Sequence, residues 1–313
     1  PILSIHSDDL ELLTHLDLSK RNLKDLPESI GILKNLSVLK LSNNKLRKLP
    51  KAIGELKNLR NLQCENNLIE ELPTEIGNLS NLMILNLNVN RLKTLPKGFY
   101  DLKSLTRLTL AANRIETLDK DFEKLSKLLY LSLETNELED LPDIFEKMKQ
   151  LYYLDLSFNH LTKLPDSLSK IKELETLILE GNSLNELPSL ESHDMLLKLD
   201  LSDNDLQSLD FDVSKLEDLK ILILDNNSLK RLPNEICELK NLTNLSVSSN
   251  ELEELPELIG NLENLQELDV EDNKLESIPD TINNLINLKN LFIDNNKGLK
   301  KPQSLELEFC DVK

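Results

Sequence analysis

Several residue types are scarce in this chain of 313 residues. Tryptophan is absent, aromatic residues make up only 4% of the sequence, and there are three cysteines, Cys64, Cys237 and Cys310. Cysteines this scattered provide neither a disulfide framework nor the ligand spacing of a metal site. Long apolar runs are also missing, since charged residues interrupt the apolar ones every few positions, which excludes a membrane-spanning helix.

Residues that carry chemistry form no recognisable set. The four histidines lie far apart in the sequence: His6, His15, His160 and His193. No Ser/His/Asp set, glycine-rich phosphate loop or pair of metal ligands occurs at a motif spacing. The adjacent His193 and Asp194 come nearest to a site, but no set of partners can be assembled around them. We therefore predict no catalytic residue, no metal and no cofactor.

Acidic residues are in excess, giving a formal net charge of −18 and a pI near 4.8. Nucleic acids and anionic membranes carry phosphate and would be repelled, so neither is expected as a partner. The charge serves solubility or favours a protein partner with a basic segment.

The most abundant feature is one leucine pattern that recurs thirteen times. It reads leucine, two residues, leucine, one residue, an apolar residue, two residues, asparagine, one residue and an apolar residue. The first leucines are Leu13, Leu36, Leu59, Leu82, Leu105, Leu128, Leu151, Leu174, Leu196, Leu219, Leu242, Leu265 and Leu288. Their step is 23 residues, except for one step of 22 that ends at Leu196. A period this strict predicts a stack of similar coils, so function is to be sought on its surface.

A single coil reads as a strand, a turn and a short helical segment. Leu85 and Leu87 alternate with polar or variable neighbours, the period of a strand with one buried face. Pro96 ends the strand region, and Phe99 and Leu102 then lie three residues apart on one side of a helical turn. Strands pack about 4.8 Å apart and helical segments about 8–10 Å apart. The stack is therefore expected to bend with its sheet on the concave face.

Asparagine recurs at one place in twelve coils, where a buried turn leaves backbone groups that its own coil cannot satisfy. A side-chain amide both donates and accepts, so it can bridge to the adjacent coil. We interpret these residues as a structural ladder: Asn44, Asn67, Asn90, Asn113, Asn136, Asn159, Asn182, Asn204, Asn227, Asn250, Asn273 and Asn296.

The pattern Leu-x-x-Leu-x-Leu-x-x-Asn-x-Leu, joined to Leu-Pro-x-x-Ile-Gly-x-Leu-x-Asn-Leu at Leu26 to Leu36 and in later coils, resembles leucine-rich repeat proteins. Within that family, the chain looks most similar to the class with 23-residue repeats. This class includes plant intracellular Ras-group proteins, Scribble- and Erbin-like scaffolds and spirochaetal repeat proteins. The resemblance implies an α/β fold, a right-handed horseshoe solenoid of about 13 coils with a concave parallel sheet and convex helical or 3-10 segments. It implies an N-terminal cap at residues 1–12, repeats at 13–298 and a C-terminal cap at 299–313. The stretch from Ser189 to Met195 departs from the pattern and is expected to be an irregular loop.

Positions 3, 5, 7 and 8 of each repeat, counted from its first leucine, are expected on the concave face. In coils one to five, charges at these positions nearly cancel. Coils four to seven carry apolar side chains: Ile84, Val89, Ala111, Ala112, Tyr130, Tyr153 and Phe158. Coils eight to thirteen carry nine acidic residues against the single Lys198: Glu180, Asp200, Asp203, Asp225, Glu267, Asp269, Glu271, Asp272 and Asp294.

The apolar zone is the sharper signal, because three of the four tyrosines, Tyr130, Tyr152 and Tyr153, fall in two adjacent coils. Exposed aromatics rimmed by charge are typical of interaction hot spots. We hypothesise that Tyr130, Tyr153 and Phe158 anchor a protein or peptide while the acidic coils steer a basic stretch of it. The alternative is that neighbouring tyrosines only pack on one another across the sheet. The predicted partner-binding residues are Ile84, Arg107, Tyr130, Tyr153, Phe158, Glu180, Asp200, Asp225 and Asp269.

The function predicted from these features is a non-catalytic, monomeric protein-interaction module, either an intracellular scaffold or adaptor or a bacterial protein that engages host molecules. Localisation stays open between the cytoplasm and, for a bacterial protein with a removed signal peptide, the cell surface or medium, since the chain starts at Pro1. The alternative is the recognition domain of a larger enzyme such as a kinase or ubiquitin ligase. The alternating tail Leu305, Leu307 and Phe309 resembles a cap strand, which favours an array that stops here.

Overall fold

The computed structural model describes residues 12–299 and 311–312. The chain forms two compact units, Pro1–Tyr153 and Leu154–Lys313. The predicted caps at residues 1–12 and 299–313 lie almost wholly outside the described residues, as do Leu305, Leu307 and Phe309. Those assignments stay predictions.

The first unit contains one three-residue parallel strand in each coil. Neighbouring strands pair in register, so that the buried leucines Leu39, Leu62 and Leu85 are direct partners. The strands are β1 (His15–Asp17), β2 (Val38–Lys40), β3 (Asn61–Gln63), β4 (Ile84–Asn86), β5 (Arg107–Thr109) and β6 (Tyr130–Ser132), and β7 (Tyr153–Asp155) contains the boundary between the units.

Short 3-10 segments follow these strands because a proline fixes the backbone where most of them begin. Pro27, Pro50, Pro73 and Pro96 each precede a segment with φ between −74° and −67°. Asp119 replaces the proline in the next coil, and its carboxylate accepts a hydrogen bond from the backbone N–H of Asp121. The segments are Glu28–Ile32, Lys51–Glu55, Thr74–Asn78, Lys97–Asp101, Lys120–Lys124 and Phe145–Lys147.

The second unit repeats the same construction. Its strands are β8 (Thr176–Ile178), β9 (Lys198–Asp200), β10 (Ile221–Ile223), β11 (Asn244–Ser246), β12 (Glu267–Asp269), β13 (Asn290–Phe292) and β14 (Asp311–Val312), and each pairs in parallel with the next. Its 3-10 segments are Asp166–Lys170, Val213–Lys215, Asn234–Glu238, Ile259–Asn261 and Asp280–Asn284.

The core of each unit consists of the repeated leucines together with larger side chains from the 3-10 segments. In the first unit Phe99, Phe122 and Phe145 are fully buried, as expected for core residues. Tyr100 packs edge-on between two of these rings, with centroid distances of 6.1 Å to Phe99 and 6.4 Å to Phe122. Parallel strands, 3-10 segments and a leucine core confirm the fold class predicted from the sequence.

The recurring asparagines join successive coils within each unit. The Asn113 Oδ1 accepts from the backbone N–H of Leu92, one coil earlier, at 3.0 Å. Its Nδ2 donates to the carbonyl of Leu87 in that earlier coil at 3.0 Å and to the carbonyl of Leu110 in its own coil at 2.9 Å. Ten of the twelve asparagines are buried, and Asn182 and Asn227 are half-buried. One amide thus satisfies turn groups that cannot pair within their own coil.

The coil between β8 and β9 departs from the pattern and contains no 3-10 segment. His193 there takes the buried position that Ile171 and Leu216 occupy in the neighbouring coils, and it is fully buried. Its Nδ1 lies 3.0 Å from the carbonyl oxygen of Leu190, and its Nε2 lies 3.2 Å from that of Leu168. Burial lowers the pKa of the imidazole, against the two carbonyl contacts, which favour the charged form.

We expect Asn113→Ala to lower the free energy of unfolding by about 1–3 kcal/mol, because four buried backbone groups lose a hydrogen-bond partner. Urea unfolding followed by circular dichroism measures the change. The matched control is Asn81→Ala, which removes an exposed amide that donates to the carbonyl of Lys57. Equal stability of the two variants would contradict the structural role of the ladder.

We expect His193→Leu to reduce the loss of stability on acidification. The pKa of His193 is lower in the folded chain than in the unfolded chain. As pH falls below about 6.5, the unfolded chain therefore protonates His193 before the folded chain does. Proton uptake favours the unfolded state, so the stability of the wild type declines as pH falls below about 6.5. Unfolding free energies at pH 7, 6 and 5 for wild type, His193→Leu and the exposed-site control His160→Leu measure the difference. A parallel pH dependence in the wild type and His193→Leu would show that His193 does not contribute.

Candidate binding surface on the strands

Each strand places its central leucine in the core and its two flanking residues on the opposite side of the sheet. In β5, for example, Leu108 is fully buried whereas Arg107 is exposed. We call the surface formed by positions 3, 5, 7 and 8 of the repeats the strand face. It is the surface that the sequence predicts to be concave, and each unit presents its own part of it.

An aromatic stack dominates the strand face of the first unit. The rings of Tyr130 and Tyr153 are parallel within 5°, with centroids 4.1 Å apart. The guanidinium carbon of Arg107 lies 3.8 Å from the centroid of Tyr130, in cation–π geometry. Both tyrosines are half-buried, so the rings pack on each other and still meet solvent. Packing and exposure therefore coexist in this stack.

Beside this stack, polar side chains on the strand face are bonded to one another. The Thr109 hydroxyl donates to Asn86 Oδ1 at 3.0 Å, and Asn86 Nδ2 donates to Gln63 Oε1 at 3.3 Å. Asn88 Oδ1 accepts from the backbone N–H of Ala111 at 2.8 Å. Ala111, which the sequence places among exposed apolar residues, is buried. These polar side chains are therefore bonded to neighbouring coils, whereas the aromatic stack exposes apolar ring surface.

The residue before each ladder asparagine adopts positive φ throughout the repeats, a conformation that suits asparagine, aspartate and glycine. Val89 and Phe158 occupy this position, with φ of 53° and 52° respectively. Val89 is 50% exposed and Phe158 is 46% exposed. Within the second unit, Gly181 makes room for Phe158, since a Cβ there would lie 2.6 Å from the ring. Two exposed apolar side chains are thus held in backbone positions that disfavour them.

The strand face of the second unit is acidic, and its carboxylates are partly held by serines. Asp225 Oδ1 accepts from the Ser246 hydroxyl at 2.6 Å. Asp200 departs from its expected exposure, because it is only 5% exposed, accepts from the Ser202 hydroxyl and pairs with Lys198 at 3.3 Å. Asp225 itself is half-buried.

Crowding of these carboxylates shifts their titration. Burial raises the pKa of Glu180, and the nearby charges of Asp200 and Asp203 raise it further. Burial likewise raises the pKa of Asp269, with Asp225 among the acidic neighbours that add to the effect. This face therefore holds uncompensated negative charge that a cationic group would relieve.

The described residues carry few groups suited to metal binding or nucleophilic attack. They contain no group of three or more His, Cys, Asp or Glu side chains that could hold a metal ion. Burial raises the pKa of the Cys237 thiol to about 11 and raises that of Cys64 as well, so neither is a ready nucleophile. No helix in the described ranges has the length and apolarity needed to cross a membrane.

The structure places Ile84, Arg107, Tyr130 and Tyr153 along one row of the first unit, one residue per strand in consecutive strands. The other predicted residues belong to the second unit: Phe158, Glu180, Asp200, Asp225 and Asp269. The predicted set of binding residues leaves out Met83 and Tyr152, which are 42% and 38% exposed immediately before β4 and β7. Both follow the first leucine of a repeat, a position outside those assigned to the strand face.

Comparisons with known proteins agree with this architecture. The profile described as leucine-rich repeat region matches residues 51–151. A second leucine-rich repeat profile matches residues 11–69 and 142–184, and a third matches residues 241–262 and 264–285. None of the curated proteins compared with the sequence matches it.

Among solved structures, a leucine-rich repeat protein of Leptospira interrogans is 36% identical, covering 99% of this chain and 86% of its own, with a TM-score of 0.84. A plant peptide hormone receptor, RGFR1 in complex with RGF2, is 26% identical and covers 96% of this chain, which spans 52% of that receptor chain, with a TM-score of 0.78. An internalin of Listeria monocytogenes shares the fold at 21% identity, covering 98% of this chain and 88% of its own, with a TM-score of 0.74.

Proposed function

The chain belongs to the leucine-rich repeat family, and we propose that it is a non-catalytic module that binds a protein or peptide on its strand face. The observation that carries the proposal is the stack of Arg107, Tyr130 and Tyr153 on the first unit. Aromatic and arginine side chains that are rigid and partly exposed supply much of the energy at protein interfaces.

The stack suits a binding anchor because its side chains are already ordered. Each tyrosine restricts its neighbour's rotamers, and the Arg107 guanidinium restricts Tyr130 from the other side. Ordering a flexible side chain on binding costs about 0.5–1.5 kcal/mol, and most of that cost is absent when the side chain is held beforehand. The Tyr130 and Tyr153 rings are therefore prepared for contact with a partner.

Related structures support a protein or peptide ligand. The plant receptor that resembles this chain was solved with its peptide hormone, and the Leptospira protein, at 36% identity over nearly the whole chain, supports a bacterial setting for the module. In that setting we propose that the partner is a host protein.

The second unit offers a different surface, which we propose attracts a basic segment of a partner. The pKa values of Glu180 and Asp269 are raised first by burial and further by neighbouring carboxylates. A lysine or arginine side chain placed beside either cluster of carboxylates would offset the repulsion within it, and long-range attraction would speed its approach. Such binding weakens as salt concentration rises.

We expect the Tyr130→Ala, Tyr153→Ala double variant to lose partner binding while remaining folded, since each hot-spot aromatic contributes about 2 kcal/mol or more. Affinity capture on the immobilised chain, read by mass spectrometry, compares the proteins recovered with those recovered by wild type. The control is Ile286→Ala, which removes an apolar side chain that is 85% exposed but lies outside the strand face. Recovery of every wild-type partner by a folded double variant would refute the proposal.

A further inference from the structure

Charge is distributed unevenly along the edge at which the strands of the first unit begin. We call the four residues before a strand together with its first residue the strand-start edge, and for strands β2 to β7 it comprises residues 34–38, 57–61, 80–84, 103–107, 126–130 and 149–153. Strand β1 is left out of this edge, because its segment contains Glu11. These segments contain seven basic residues and no acidic one: Lys34, Lys57, Arg60, Lys103, Arg107, Lys127 and Lys149. In a chain with a net charge of −18, a set of equivalent segments without an acidic residue is a local reversal.

The reversal is confined to the first unit. The equivalent segments of the second unit, 172–176, 194–198, 217–221, 240–244, 263–267 and 286–290, contain five basic and seven acidic residues. Because parallel strands begin at the same edge of their sheet, the seven basic residues of the first unit share one side of it. The repeat itself therefore does not dictate the charge of this edge.

Apolar side chains occupy the same edge. Met83 is 42% exposed and Tyr152 is 38% exposed, and Ile84 and Leu129 are half-buried between the basic positions. Together with the Tyr130 and Tyr153 rings they form a strip of apolar surface that contacts water. Exposed apolar surface framed by charge marks an interaction site more often than charge alone does.

Arg107 is the best placed of the basic residues. Its guanidinium lies over Tyr130 and, within the described part of the chain, makes no hydrogen bond or ion pair. Stacking through its face leaves the N–H groups at its rim to a ligand, and a carboxylate matches that rim with two parallel hydrogen bonds. Lys34, by contrast, is already paired with Glu55 at 2.8 Å.

We propose that the strand-start edge of the first unit binds an extended peptide segment in which acidic residues alternate with apolar or aromatic ones. A carboxylate of the segment pairs with Arg107, a second is attracted to Arg60, and the apolar side chains cover Met83, Tyr130 and Tyr152. The proposal rests on the proposed function and specifies the partner's chemistry. A peptide is favoured over a nucleic acid because apolar side chains such as Met83 and Tyr152 are exposed between the basic residues.

The test is selection of a random 12-residue peptide library on the full chain. We expect enriched sequences rich in Asp, Glu, Leu and Phe, with affinities by fluorescence anisotropy that fall about tenfold or more in Arg107→Glu. The matched control Arg114→Glu reverses an exposed arginine of the same coil outside the edge and should leave affinity unchanged. Arg107→Lys keeps the positive charge but not the planar rim of N–H groups. Its affinity should lie between those of Arg107→Glu and Arg114→Glu.

Enriched peptides that are neutral or basic, or whose binding is insensitive to Arg107→Glu in a chain with unchanged circular dichroism, would overturn this inference while leaving the proposed function intact. A 20-nucleotide random single-stranded RNA that binds tightly and competes through Arg107 would overturn it in favour of nucleic acid. Failure to enrich any peptide would overturn both this inference and a peptide-binding function.

Discussion

The fold depends on one hydrogen-bonding arrangement, the asparagine amide that serves two coils at once. In the first unit Asn113 satisfies an N–H and a carbonyl of the preceding coil and a carbonyl of its own, groups that the short strands leave unpaired. The buried leucines and these amides hold the coils together, so the stability of the stack depends less on which residues occupy the strand face. Their side chains can therefore vary from coil to coil, which is how a repetitive fold comes to carry a specific surface.

The repeated part of the structure could be predicted because its physical causes recur every 23 residues. The strand around Leu85, the buried Phe99 and the bridging asparagines each follow from periodicity or from unsatisfied backbone groups. What escaped prediction depends on contacts between specific neighbours. Asp200 occupies a position expected to be exposed, but it is buried, accepts a hydrogen bond from Ser202 and pairs with Lys198. Repeat position alone does not indicate that Tyr152 borders the strand face. The stacking of Arg107 on Tyr130 likewise needs side-chain positions.

The net charge of the chain does not describe the charge of its individual surfaces, because acidic and basic residues are concentrated on different surfaces. On the strand face of the second unit, burial and, to a lesser extent, neighbouring carboxylates raise the pKa of Glu180 and Asp269. The strand-start edge of the first unit has seven basic residues and no acidic residue. At an ionic strength of 0.15 M the field of exposed charges decays within about 8 Å, so a bound segment responds to the charges beneath it and hardly at all to the total of −18. The two surfaces are therefore proposed to bind ligands of opposite charge.

Two exposed apolar side chains, Val89 and Phe158, lie at positions whose left-handed backbone does not suit them. The position before each ladder asparagine is left-handed, and asparagine, aspartate or glycine holds it easily, as Gly181 does. A bulky or β-branched side chain in this conformation costs about 1–2 kcal/mol, yet Val89 and Phe158 occupy it and expose about half of their surface. Burial does not offset that cost at these positions. A partner that covered these two apolar side chains would offset that cost, which agrees with the proposal that Phe158 contacts a partner.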